Sequence, residues 1–108
     1  MTPEGKVKAK VAKILKEYGV YYFFPATGGF GRSGVPDIVG CYYGRFIAIE
    51  CKAGSNKPTA LQENELRKIG EAGGMWSIMY EDCEHRLRAN LDIIKDVEEN
   101  NVRRTKSI

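Results

Sequence analysis

The chain has no Cys-x-x-Cys pair and a single histidine, His85. Its three cysteines, Cys41, Cys51 and Cys83, are odd in number, which argues against a structural zinc site or a disulfide framework. Cys41 and Cys51 fall in strand-like runs and read as small core residues, and free thiols suit a reducing cytoplasm. No apolar run approaches the roughly 20 residues that a membrane helix needs. The polar start Met1-Thr2-Pro3-Glu4-Gly5 does not read as a signal peptide. Strong charge is missing too: a formal net charge of +3 does not establish a nucleic-acid partner by itself. Neither an internal repeat nor a composition shift divides the 108 residues. One domain over residues 1–102 is expected, followed by a basic tail over 103–108.

The stretch from Gly34 to Lys52 carries the strongest signal. Gly34-Val35-Pro36-Asp37-Ile38-Val39-Gly40 and Arg45-Phe46-Ile47-Ala48-Ile49-Glu50-Cys51-Lys52 flank a tight glycine-containing turn, the pattern of a β-hairpin. With side chains alternating along the second strand, Ala48, Glu50 and Lys52 leave one side, and Ile47, Ile49 and Cys51 the other. Asp37 opens the partner strand and can stand opposite. Two carboxylates and a lysine at a sheet end point to a hard divalent cation and a phosphate. The alternative is a surface Glu50–Lys52 pair, worth under roughly 1 kcal/mol, with Asp37 merely starting a strand.

The rest of the chain supplies helices around this hairpin. Thr2-Pro3-Glu4 starts a helix that runs to about Tyr18, with Val7, Val11, Ile14, Leu15 and Tyr18 as its apolar stripe. Lys6, Lys8, Lys10, Lys13 and Lys16 cover much of its remaining surface, either as a solvated face or as a phosphate-contacting one. Val20–Phe24 reads as a strand ended by Pro25. The glycine-rich segment 27–34 follows. It lacks the Gly-Lys-Ser/Thr ending of a phosphate loop, and it is either a connector or a loop that closes on a ligand, with Arg32 as a phosphate contact and Phe30 as a stacking group. Residues 53–58 form a loop carrying Lys57. Thr59-Ala60-Leu61-Gln62 has the capping-box pattern, opening a helix with Leu61, Leu66 and Ile69 inward. Met75–Tyr80 is a further strand. His85 to about Asn100 is a last helix with Leu87, Leu91, Ile94 and Val97 as its stripe, before the frayed basic tail. The order α-β-β-β-α-β-α predicts an α/β fold, a small mixed β-sheet flanked by helices. A helix links the third and fourth strands, so these two are candidates for parallel neighbours.

Val35-Pro36-Asp37, twelve residues, then Glu50-Cys51-Lys52 resembles the PD-(D/E)XK nuclease signature, and the element order is similar to that superfamily's restriction-endonuclease-like core. More narrowly, the glycine-rich segment before Gly-Val-Pro-Asp, Gln62 on the following helix and Glu4 early in the first helix resemble the VRR-NUC (virus-type replication-repair nuclease) family, over about residues 2–80. The resemblance implies a phosphodiesterase using Mg²⁺ or Mn²⁺. Asp37, Glu50 and the Cys51 main-chain carbonyl would hold the ion, and Glu4 would hold it through water. Lys52 would hold or help deprotonate the attacking water, which Gln62 would orient. Gln62 as a capping-box residue alone, and Glu4 as a helix N-terminal charge alone, remain open. Lys6, Lys10, Lys13, Lys57 and Arg32 would contact the nucleic acid. Likeness to junction-resolving nucleases implies a homodimer acting on branched DNA in replication, repair or recombination, in the cytoplasm of a bacterial or phage-infected cell. A flap, nicking or RNA-directed nuclease, or a nucleic-acid-binding accessory protein that cuts nothing, are the other readings.

Overall fold

The computed structural model describes residues 1–26 and 33–105, the last five of these by backbone alone. The elements are α1 (Pro3–Glu17), β1 (Tyr21–Phe23), β2 (Ile38–Tyr42), β3 (Arg45–Cys51), α2 (Ala60–Glu71), β4 (Met75–Met79) and α3 (Cys83–Thr105). This is the expected order and a mixed α/β architecture. One four-stranded sheet runs β1-β2-β3-β4. The first three strands pair antiparallel, and β4 joins β3 in parallel after the α2 crossover.

Local chemistry fixes these elements. Thr2 caps α1, its hydroxyl accepting the Gly5 N–H at 3.0 Å, and Pro3 occupies the first turn where an amide donor is not needed. The β2–β3 hairpin closes on two residues, Tyr43 and Gly44, between the paired Tyr42 and Arg45. Both central residues have positive φ, 51° and 80°, as in the primed turns whose twist suits a hairpin. Tyr43 Oη donates to Glu99 and Arg45 pairs with Glu98, tying the hairpin tip to α3.

The sheet has two unlike faces. On one, Ile38, Tyr42, Ile47, Ile49, Cys51 and Met79 are buried beneath α1 and α3, which contribute Val7, Val11, Ile14, Leu15, Leu87, Leu91 and Ile94. On the other, α2 lies against β4 through Leu66, and among the described residues no helix packs on the β1–β2 half as closely. That asymmetry corrects the sequence expectation at Cys41, which is exposed because it points to the open face. Leu61 and Val97 are likewise exposed, at 58% and 50%, not inward: each sits at the margin of its helix's buried stripe. The last helix starts at Cys83 and continues through Thr105, so residues 103–105 are helical where a frayed tail was expected. Among the described residues no helix is long and apolar enough to cross a membrane.

Candidate active site

Asp37 precedes β2 by one residue. Because Ile38 pairs with Ile49, Asp37 faces Glu50 across the end of the hairpin. The two are locked reciprocally: the Asp37 N–H donates to Glu50 Oε1 at 3.2 Å, and the Cys51 N–H donates to Asp37 Oδ2 at 2.8 Å. Buried Pro36 carries no amide donor and sets the chain extended into this position. Gly34, at φ +80°, passes so close to the start of α2 that a Cβ there would meet the Leu61 carbonyl at 2.6 Å and Gln62 N at 2.9 Å. The segment bearing Asp37 is therefore pressed against the α2 N-terminus.

Lys52 leaves β3 just past Glu50, with its own N–H bonded to Met79 O at 2.9 Å. Its ammonium lies 3.5 Å from Glu50 Oε2 and 4.0 Å from Glu4 Oε1. Glu50 is 1% exposed and Lys52 8%, so the surface-pair alternative does not describe them. Burial first, and the Asp37 charge second, push the Glu50 carboxyl up to about 7 against the opposing pull of Lys52. The Cys51 thiol projects to the core face, and burial, reinforced by Asp37 and Glu50, pushes it up to about 12. It therefore stays protonated, and only the main-chain carbonyl of Cys51 is a usable oxygen donor.

Sequence reasoning missed the support behind Glu4. Asn56 Nδ2 donates to Glu4 Oε2 at 3.3 Å. Tyr80 Oη in turn holds the Asn56 carbonyl at 2.8 Å, and the Glu81 carboxylate accepts the Gly54 N–H at 2.9 Å. The loop 53–58 is thus fastened to the end of β4. In sequence, Gly54-Ser55-Asn56 reads only as turn chemistry, so nothing flagged Asn56.

Gln62 is brought to the neighbourhood but not into the cluster. Its side-chain oxygen accepts the Thr59 N–H at 2.9 Å and its own N–H donates to Thr59 Oγ1 at 3.2 Å, a complete capping box. It makes no hydrogen bond to Asp37, Glu50 or Lys52 among the described residues. Lys6, Lys13 and Lys57 are exposed; Lys10 is exposed and donates to the Glu81 carbonyl at 2.8 Å. Arg32 and Phe30 lie outside the described residues.

Among the described residues no three His, Cys, Asp or Glu side chains converge as a metal-binding group. The two carboxylates of Asp37 and Glu50, joined by a main-chain carbonyl such as that of Cys51, would still suit a hard divalent cation: all these donors are oxygen, and a buried carboxylate held against a second one lacks a compensating double charge. Ions of this kind keep several waters, so three protein oxygens suffice.

Two comparisons bear on this arrangement. The sequence model of the archaeal Holliday junction resolvase family (Hjc) matches residues 5–75, a span that contains Asp37, Glu50, Lys52 and Gln62 and stops one residue short of Glu4. A protein named "Putative nuclease p44", from Acyrthosiphon pisum secondary endosymbiont phage 1, is 37% identical over 67 residues, covering 61% of this chain and 69% of its own.

Proposed function

The chain belongs to the archaeal Holliday junction resolvase (Hjc) family, and on that premise we propose that it is a Mg²⁺- or Mn²⁺-dependent endonuclease that cuts branched DNA as a homodimer. The observation that carries the reading is the burial of Glu50 and Lys52 against Asp37 at the sheet end. Two close carboxylates are unfavourable there for stability alone, and a cation-assisted phosphodiester cleavage gives them a purpose. The VRR-NUC likeness refines the family reading through the Gly-Val-Pro-Asp turn, Gln62 and Glu4.

In this reading Asp37, Glu50 and the Cys51 carbonyl would hold the ion, and Glu4 would assist through water. When bound, such an ion would supply Lewis acidity towards the attacking water and positive charge towards the scissile phosphate. Lys52 positions the attacking water, takes part in its deprotonation and faces the phosphate. Glu4, braced by Asn56, adds a second carboxylate beside the Lys52 ammonium. Gln62 orients water through its amide nitrogen while its oxygen stays in the capping box. Lys6, Lys10, Lys13 and Lys57 take phosphates along the duplex, as does Arg32. A two-fold dimer supplies one site for each of two strands. The phage relative and the three free cysteines support a cytoplasmic setting in a bacterial or phage-infected cell.

The test is cleavage of labelled four-way junction, flap, splayed duplex, plain duplex and single strand with Mn²⁺, Mg²⁺ or chelator. Wild type should cut the branched substrates only with metal. Lys52→Ala should lose about 10²–10⁴-fold in rate, the usual contribution of a positioned proton-transfer group. Tight binding of the junction without cutting by wild type would replace the nuclease reading with an accessory binding protein.

A further inference from the structure

We propose that the end of β1 receives an unstacked nucleobase of the substrate, with Phe23 as the stacking platform and Lys8 on the adjoining phosphate. This deepens the nuclease reading above, on which it rests for the ligand being nucleic acid. The site then selects strands whose bases are already out of the duplex, as at a branch point.

Register puts Phe23 beside the carboxylate pair. Phe23 is paired with Val39, and Asp37 lies two residues before Val39, so Asp37 is the diagonal neighbour of Phe23 on the same face of the sheet. Such a diagonal spans roughly 7–8 Å, within reach of an aromatic side chain. A ring at this place can meet the base of a nucleotide whose phosphate lies at the carboxylates. Phe23 is 51% exposed, and Tyr21, two residues back on the same face, is 74% exposed. The next residue, Phe24, turns to the α1 side, where Lys8 Nζ stands 4.8 Å from its ring centroid. Lys8 follows Glu4 by four residues, so the two share one face of α1. Glu4 reaches Lys52 while Lys8 reaches the end of β1. Among the described residues no carboxylate pairs with Lys8, which leaves its charge available to a phosphate.

Size and charge favour a nucleotide over a protein partner. Tyr21, Phe23 and Phe24, at roughly 150–250 Å² each, leave about 250–450 Å² of their surface in water. That is around half of the ~800 Å² that each partner buries in a standard protein interface. Flat rings beside a cation are instead the combination that holds single-stranded nucleic acid, base on aromatic and phosphate on ammonium. Every base has a π-face, so the contact asks that the base be unstacked and not which base it is. Bases inside a duplex offer Phe23 no free face, and drawing one out costs least where the strands are already open.

Fluorescence anisotropy in chelator tests this, with splayed duplexes whose unpaired arms are either oligothymidine or abasic residues carrying the same phosphates. Wild type should bind the base-bearing fork about 5- to 150-fold more tightly, the span that stacking of one base is worth. Phe23→Leu should bring the two forks together by weakening the base-bearing one alone, and Phe23→Trp should keep the preference. Lys8→Gln should weaken both forks and lower the salt slope by about 0.7, one phosphate contact on a single strand. Equal binding of the two forks by wild type overturns the proposal, and so does a preference that survives Phe23→Leu. Photocrosslinking of 5-iodouracil arms to wild type decides the matter should Phe23→Leu fail to fold: crosslinks on the segment carrying Tyr21 and Phe23 support the platform, and crosslinks confined elsewhere overturn it. None of these readouts requires cleavage. Base-selective binding by a chain that cuts nothing would sink the nuclease reading and leave this one standing; base-blind binding by a chain that cuts would do the reverse.

Discussion

Replacing Glu50 with Gln should stabilise the metal-free protein at alkaline pH while abolishing its activity. The Glu50 carboxyl is pushed from 4.5 up to about 7 by burial and by Asp37. A raised acid binds its proton more tightly in the folded chain than in the unfolded one. The resulting stability is fully present below about pH 4.5 and is lost as pH rises through about 7. At pH 5 the folded chain keeps the proton and the unfolded chain has mostly released it; at pH 8 both have released it. Each tenfold difference in proton affinity between the two states is worth about 1.4 kcal/mol, so wild type should lose about 2.5 kcal/mol between these two pH values from this group alone. Glu50→Gln has no such proton, and its oxygen can still accept the Asp37 N–H. The difference in melting temperature between the two proteins should therefore change by roughly 10–20 °C between pH 5 and pH 8 in chelator, given 4–8 °C per kcal/mol for a chain of this size. Comparing the proteins at each pH cancels the titration of groups that do not interact with Glu50, and Asp37 and Lys52, which do, stay charged from pH 5 to 8 in the unfolded chain. Mn²⁺ at pH 8 should raise the wild-type melting temperature and leave that of Glu50→Gln unmoved, because an ion bound only by the folded state stabilises it. Parallel melting curves for the two proteins from pH 5 to 8 would refute the argument that burial, with the Asp37 charge second, raises the Glu50 carboxyl in the folded chain.

Two further substitutions separate structural from chemical roles. Thr59→Ala and Gln62→Ala each break the capping box and should lower stability by about 0.5–2 kcal/mol in chemical denaturation; only Gln62→Ala should also slow junction cleavage, and equal rates for the two variants would reduce Gln62 to a cap. Gly34→Ala should be destabilising by roughly 2–5 kcal/mol, since the left-handed backbone and the approach to the Leu61 carbonyl act together; a loss within about 0.5 kcal/mol, the range of an ordinary surface change, would mean that the turn before Asp37 is not pinned to α2.

How much of this was legible in the sequence follows from the range of each interaction. The hairpin was readable because a two-residue turn and period-two alternation are local, and they also put Asp37 opposite Glu50. The caps at Thr2 and Thr59 act within three residues and were equally plain. The helix between β3 and β4 made their parallel pairing a candidate, which the sheet bears out. What escaped depends on which faces meet. Cys41 obeys the alternation as strictly as Ile38 and Tyr42 do, but alternation does not say which face stays bare. Asn56 bonds Glu4 across 52 positions, and Tyr80 holds it from 24 positions away. No local pattern marks such a residue, because its importance lies in what the fold brings to it. The same reasoning explains why the exposed aromatics were unremarkable in sequence. Tyr21 and Phe23 on a short strand read as ordinary β-formers, and only the sheet order shows α2 stopping short of them.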